Sequence, residues 1–176
     1  MVVIYKSSHE YSYDFATATT AYYNKYPNPY SKGVTSIDTI SVKFNEKNHL
    51  LVERLIHKKG SLPWFARPFV GSITDSWILE TSVVDPVGKT LQSWTRNINH
   101  KRILRVDDIA IYSANTSRTL VQHRVQFHSG LQFGIRDRIE NWSKELFINR
   151  IQKSREGMTF IMAQLFPKQQ LYRTAQ

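Results

Sequence analysis

Residues 49–59 read His-Leu-Leu-Val-Glu-Arg-Leu-Ile-His-Lys-Lys, and strand alternation places Leu50, Val52, Arg54, Ile56 and Lys58 on one face, with Leu51, Glu53, Leu55 and His57 on the other. One face therefore sets two cations among aliphatic side chains. Turned inward, such a face needs an anion or a depressed lysine pKa, because an unpaired buried ammonium is costly. An amphiphile with an anionic head and apolar tails meets both demands. The alternative is that Arg54 and Lys58 snorkel to the surface or pair with carboxylates such as Asp38.

The adjoining segment, Gly60-Ser-Leu-Pro-Trp-Phe-Ala-Arg-Pro-Phe-Val-Gly71, has no strand or helix period. Two glycines bracket two prolines and the large apolar residues Leu62, Trp64, Phe65 and Phe69, a composition that fits a hinged lid or a membrane-inserting loop. It fits equally a loop whose aromatics cap the core. Trp64 beside Arg67, after Lys58 and Lys59, is the mixture of interfacial aromatic and cation that suits an anionic membrane surface.

Other chemistry is thinly represented. His9, His49, His57, His100, His123 and His128 show no metal-ligand spacing, and with 0 cysteines there is no thiolate site or disulfide framework. No metal or cofactor is called for. Serine-hydrolase elbows, phosphate-binding P-loops and dinucleotide turns are missing, and adjacent Asp107 and Asp108 on one strand face opposite ways, so no catalytic residue is nominated.

The elements that must hold these residues follow from periodicity. A first extended stretch spans about residues 2–12, and Asp14 can cap a short helix carrying Phe15, Ala18, Tyr22 and Tyr26, stopped by Pro27 and Pro29. Strand-like segments follow at about 34–45, 49–59, 73–85, 89–99, 103–113 and 118–129, most of them separated by short turn-prone breaks such as Asn45–Asn48 and Asp85–Gly88. From Ile135 to about Phe166 the period becomes helical, with a possible bend near Gly157 and an end at Pro167. The expected architecture is α+β: a curved seven-stranded antiparallel meander wrapped around one long C-terminal helix, with a short N-terminal helix, leaving a cavity between.

Length and charge narrow the partners. The chain has 176 residues, 24 Lys and Arg against 14 Asp and Glu, a net charge of +10 and 41% hydrophobic residues, enough for one domain with a real core. The first ten residues lack the pattern of a secretory signal and read as part of the fold. An anionic partner is implied. A basic nucleic-acid-binding module, with aromatics such as Trp94 and Tyr112 exposed for stacking, is the competing reading, although no recognised nucleic-acid motif accompanies the charge.

Taken in order, Tyr26-Pro-Asn-Pro-Tyr30, Ser36-Ile-Asp-Thr-Ile40, the Gly60 to Phe69 loop, Ser82-Val-Val-Asp-Pro86, Thr95-Arg-Asn97 and Asn141-Trp-Ser143 resemble the PRELI-like (MSF-type) domain. The likeness covers about residues 1–166, leaving 167–176 as a tail, and is nearest to the fungal members. It implies a START-like fold enclosing one phospholipid, and a non-enzymatic carrier of phosphatidic acid from outer to inner mitochondrial membrane for cardiolipin synthesis. It further implies a place in the intermembrane space, peripheral on either membrane, and a heterodimer with a small helical twin-CX9C protein. Nucleic acid is not among the implied partners. Lys25, Lys58 and Lys153 match the family's basic headgroup site, with Arg54 and Arg150 as supporters; Leu62 and Phe65 match apolar lid positions, and the lid tryptophan stands one place earlier, at Trp64. Ser61 and Leu146 stand where relatives carry further cations, which implies a headgroup site less positive or built partly from Arg150 and Lys59.

Overall fold

The computed structural model describes residues 2–60, 75–131 and 134–174. Alternation becomes seven strands, β1 (Val3–Tyr11), β2 (Val34–Phe44), β3 (Leu50–Lys59), β4 (Asp75–Asp85), β5 (Thr90–Asn97), β6 (Arg105–Asn115) and β7 (Arg118–His128), with α1 (Phe15–Tyr23) after β1. The long helix at the C-terminal end, α2, spans Ile135–Thr174. All neighbouring strands are antiparallel, in the order β1-β7-β6-β5-β4-β3-β2. Successive strands pair as the short breaks predict, and β1 closes on β7.

The turns are built by the side chains the sequence offers. Asn45 Oδ1 accepts from the amides of Lys47 and His49, each at 2.9 Å, and Asp85 Oδ1 accepts from Val87 at 3.0 Å and Gly88 at 2.8 Å. Asn48, at φ 59°, takes the left-handed conformation that asparagine tolerates better than most residues.

Asp14 caps α1 by accepting from the Thr17 amide at 2.8 Å. The helix closes earlier than its apolar spacing predicts. Asn24 ends it, donating from its side chain to the Thr20 carbonyl at 2.8 Å, and Tyr26 lies beyond, where the following proline disfavours helical backbone. At the other end the difference is opposite: α2 does not stop at Pro167 but continues to Thr174. A proline removes one amide and crowds one carbonyl, and Lys168-Gln-Gln-Leu-Tyr-Arg173 are residues that can resume a helix after it.

Core side chains come from three sources: Leu91, Ala110, Tyr112, Val121, Val125 and Phe127 on the concave sheet face, Phe15, Ala18, Ala21 and Tyr22 on α1, and Ile139, Ile151, Met158, Ile161 and Met162 on α2. Helix α2 packs against β1, β7 and α1. Its weight thus falls on one half of the sheet, and the β2–β4 half presents its concave face toward the end of α1. Gly157 has a specific job in this packing, since a Cβ there would come within 2.8 Å of Asn28 Oδ1.

Candidate functional site

Of the two faces of residues 49–59, the one carrying Arg54 and Lys58 turns inward. Val52, Arg54 and Ile56 are buried and Lys58 is half-buried, whereas Glu53 is exposed. On β4 the matching face carries Ile78, Glu80, Ser82 and Val84, and the register sets Glu80 directly opposite Arg54. Glu80 is only 1% exposed. It accepts from Arg54 Nε at 2.8 Å and also from Nη2, and from Lys25 Nζ at 2.6 Å.

Arg54 is fully committed. Its Nη1 donates to the Tyr23 carbonyl at 3.0 Å and its Nη2 reaches the Tyr22 carbonyl at 3.5 Å, so the guanidinium also holds the carbonyl end of α1, where a cation is favoured. Of the two alternatives open for Arg54, pairing is observed, but with Glu80 rather than Asp38, which is exposed on β2. Burial alone would lower the Arg54 pKa; the adjacent Glu80 charge and its hydrogen bonds raise it. For Glu80, burial pushes upward, yet the charges of Lys25 and Arg54 and their hydrogen bonds bring it down to about 2.

Lys25 and Lys58 are less constrained. Lys25 uses one donor on Glu80 and rests its ammonium 4.0 Å from the Tyr22 ring centre and 5.5 Å from that of Tyr26. The Lys58 side chain makes no hydrogen bond or ion pair among the described residues. Burial lowers its pKa, Glu80 and Asp108 act against that, and Arg150 adds to it, which places Arg150 within electrostatic reach of the same ammonium.

Arg150 and Lys153 are both exposed on α2. With Gly157 they follow the spacing of one helical stripe, and Gly157 abuts Asn28, whose side-chain amide donates to the Lys25 carbonyl. Lys153 lies one turn before Gly157 on that stripe, exposed, and no hydrogen bond or ion pair joins it to the cluster among the described residues. The structure thus gathers Lys25 and Arg54 around Glu80, with Lys58 and Arg150 nearby. Leu62, Trp64, Phe65 and Phe69, and Ser61 with them, lie outside the described residues.

Glu80 is the residue that sequence reasoning missed. Alternation could have placed it inward between Ile78 and Ser82; its partner could not be read, because β3 and β4 are joined by residues 60–74 rather than by a tight turn that sets register. Tyr112 also differs from expectation. It is 6% exposed on the same face as Ala110, packed edge-on to Tyr22 at 5.6 Å, and is unavailable for stacking on a base.

A second polar group lines the seam between α2 and the β1–β7 pair. His123 Nδ1 lies 3.2 Å from Asp108 Oδ1, and Arg155 Nη2 donates to Ser7 Oγ and to the Ser8 carbonyl, each at 3.4 Å. Burial lowers the His9 pKa, and the neighbouring Arg155 and His123 charges lower it further. The unfolded chain then binds a proton at His9 more readily than the folded one, so the contribution of His9 to stability falls as pH drops through about 6.5. We expect the loss of Tm between pH 7.5 and 5.5 to be smaller in His9→Gln; an identical slope would contradict this assignment.

Among the described residues no group of three His, Asp or Glu could hold a metal ion, and no helix is long and apolar enough to cross a membrane. Comparison with known proteins gives the fold and the site their context. The PRELI-like family model matches residues 16–169. The chain belongs to the PRELI-like family. It is 42% identical to "Protein UPS1, mitochondrial" of Saccharomyces cerevisiae, over 94% of this chain and 95% of that protein. It is 34% identical to "Protein ups1 homolog" of Schizosaccharomyces pombe, over 94% and 98%. With human "PRELI domain-containing protein 1, mitochondrial" it shares 31% over 82% of this chain and 68% of that one.

Solved structures extend the likeness to the fold alone. A START superfamily protein from Mycobacterium smegmatis superposes with a TM-score of 0.57 at 9% identity, covering 92% of this chain and 98% of that one. The Zhui aromatase/cyclase does so with 0.59 at 7%, covering 94% and 96%. This PRELI-like chain therefore has the START-like architecture expected of it, and at such identity the cyclase lends it no activity.

Proposed function

We propose that this PRELI-like protein is a non-enzymatic carrier that moves phosphatidic acid between the outer and inner mitochondrial membranes and so supplies cardiolipin synthesis. The observation that carries the reading is a charge imbalance on an apolar concave face: Lys25 and Arg54 share one buried carboxylate, Glu80, while the Lys58 ammonium on the same face has no ion-pair partner among the described residues. The cluster is short of negative charge, and the half-buried Lys58 is the group left over. A phosphate monoester with acyl chains supplies the missing anion and the apolar surface together.

Lys58 from β3 and Lys153 from α2 clamp the phosphate in this reading, Lys25 closes the floor, and Arg150 adds field. Arg54 supports the site by holding Glu80 and the end of α1. A small head carrying up to about −2 gains more from convergent cations than a bulkier zwitterionic head does. Carriage is needed because exposing a single ~16-carbon chain to water costs on the order of 12 kcal/mol at about 0.8 kcal/mol per CH₂.

The names of the yeast and human relatives support a mitochondrial setting. Within it, the protein works in the intermembrane space as a heterodimer with a small helical twin-CX9C protein and docks peripherally on anionic membrane. Salt weakens that docking. Native mass spectrometry of the protein mixed with equal phosphatidic acid, phosphatidylserine and phosphatidylcholine tests the cargo. One phosphatidic acid per chain is expected; retention of phosphatidylcholine in equal amount would refute the headgroup reading.

A further inference from the structure

Lys25 occupies an unusual position for a ligand-binding cation, because its charge is already answered. Its ammonium sits 2.6 Å from Glu80 Oε2 and 4.0 Å from the Tyr22 ring centre, and its side chain is 15% exposed. Arg54, by contrast, is 4% exposed and spreads its donors over Glu80 and two carbonyls of α1, so it cannot turn toward a ligand without uncapping that helix. Lys25 is tied by one hydrogen bond through a flexible four-carbon stem, with two further donors to offer.

We propose that Glu80 competes with the lipid phosphate for Lys25, so that loading is an exchange of this lysine between a resident carboxylate and the incoming anion. The inference rests on the phosphate-lipid reading above and deepens it. Glu80 is retained by Arg54 in either arrangement, which leaves it hydrogen-bonded when Lys25 departs. Two consequences follow. The carboxylate lowers affinity for the phosphate by repulsion and by holding Lys25 back, and it speeds release by taking Lys25 again.

Glu80 is thus a positioning residue that keeps binding reversible, as a carrier requires. A site in which Lys25, Lys58 and Lys153 met the phosphate without an internal competitor would load readily and unload slowly. The exchange also favours a phosphate monoester over a diester, because only a group of high charge density draws an ammonium from a carboxylate at 2.6 Å.

The test uses water-soluble dihexanoyl phosphatidic acid with the full chain, alone and with its partner. Glu80→Gln keeps an oxygen for Arg54 but removes the charge. It should bind this lipid about tenfold more tightly than the native protein, dissociate more slowly, and gain a larger ligand-induced rise in Tm. A merely structural Glu80 predicts the reverse, weaker binding with faster loss.

Should Glu80→Gln fail to fold, the native protein still decides the matter. The Lys25 Nζ resonance in ¹⁵N NMR should shift at saturating lipid, together with that of Lys58. If Lys58 responds and Lys25 does not, or if Glu80→Gln binds no tighter while native protein binds well, the exchange is wrong and the carrier reading survives. If native protein binds no dihexanoyl phosphatidic acid and neither lysine responds, both fall together.

Discussion

Arg54→Met should cost about 3–5 kcal/mol of folding stability, the usual consequence of removing one partner from a buried ion pair. Glu80 would keep Lys25 alone, and the Tyr22 and Tyr23 carbonyls at the end of α1 would lose their guanidinium donors. For a chain of this size the loss corresponds to a fall in Tm of roughly 6–20 °C. Thermal and urea unfolding measure it directly, and a loss under about 1 kcal/mol would mean that the pair is not formed as described.

The companion variant separates charge from packing. Arg54→Met with Glu80→Met removes both charges but also leaves Lys25 without its carboxylate, so it should recover only part of the single-variant loss. Acid acts in the same direction as the single variant. Because the Glu80 carboxyl is lowered to about 2, its stabilising contribution is complete above the ordinary carboxylate range near 4.5 and is lost as pH falls from there toward about 2.

Lys58 should behave in the opposite sense. Its folded-state pKa lies below 10.5, so the charged form is less comfortable in the protein than in the unfolded chain, and stability improves as pH rises toward 10.5. Lys58→Met is therefore expected to raise Tm at neutral pH. The same substitution removes the charge-assisted hydrogen bond proposed between Lys58 and the phosphate, worth about 1.5–3 kcal/mol, and should weaken binding of dihexanoyl phosphatidic acid about 10- to 150-fold. Gain of stability with loss of binding is the signature of a residue kept for function at a cost to the fold. Isothermal titration and a melting curve on one preparation check both halves; a variant that is less stable and binds normally would reverse the assignment.

The contrast between these two cations shows how far the sequence could be read. Alternation over residues 49–59 was sufficient to put Arg54 and Lys58 on one face with Val52 and Ile56, but Leu51 and Leu55 opposite left open which face is buried, and the structure decides it. The meander, the Asp14 cap and the Asn45 and Asp85 turns were legible for the same kind of reason: each is decided within a few residues.

What separated Arg54 from Lys58 was not local. Their different fates depend on Glu80 across the β3–β4 register and on Lys25 and the α1 carbonyls, none of which is fixed by spacing along β3. Likewise Gly157, read as a possible bend, takes its meaning from Asn28, far away in the chain. The continuation of α2 through Pro167 reflects the helix formers that follow, a cooperative effect that a single breaker conceals.

The charge deficit around Glu80 has its most direct test in transfer between liposomes, with donor vesicles carrying phosphatidic acid, phosphatidylserine or phosphatidylcholine and the protein assayed with and without the proposed twin-CX9C partner. The predicted result is rapid transfer of phosphatidic acid, slower transfer of phosphatidylserine and little of phosphatidylcholine, with the phosphatidic acid rate falling sharply in Lys58→Met. Equal rates for the three lipids, or a Lys58→Met rate equal to the native one, would contradict it.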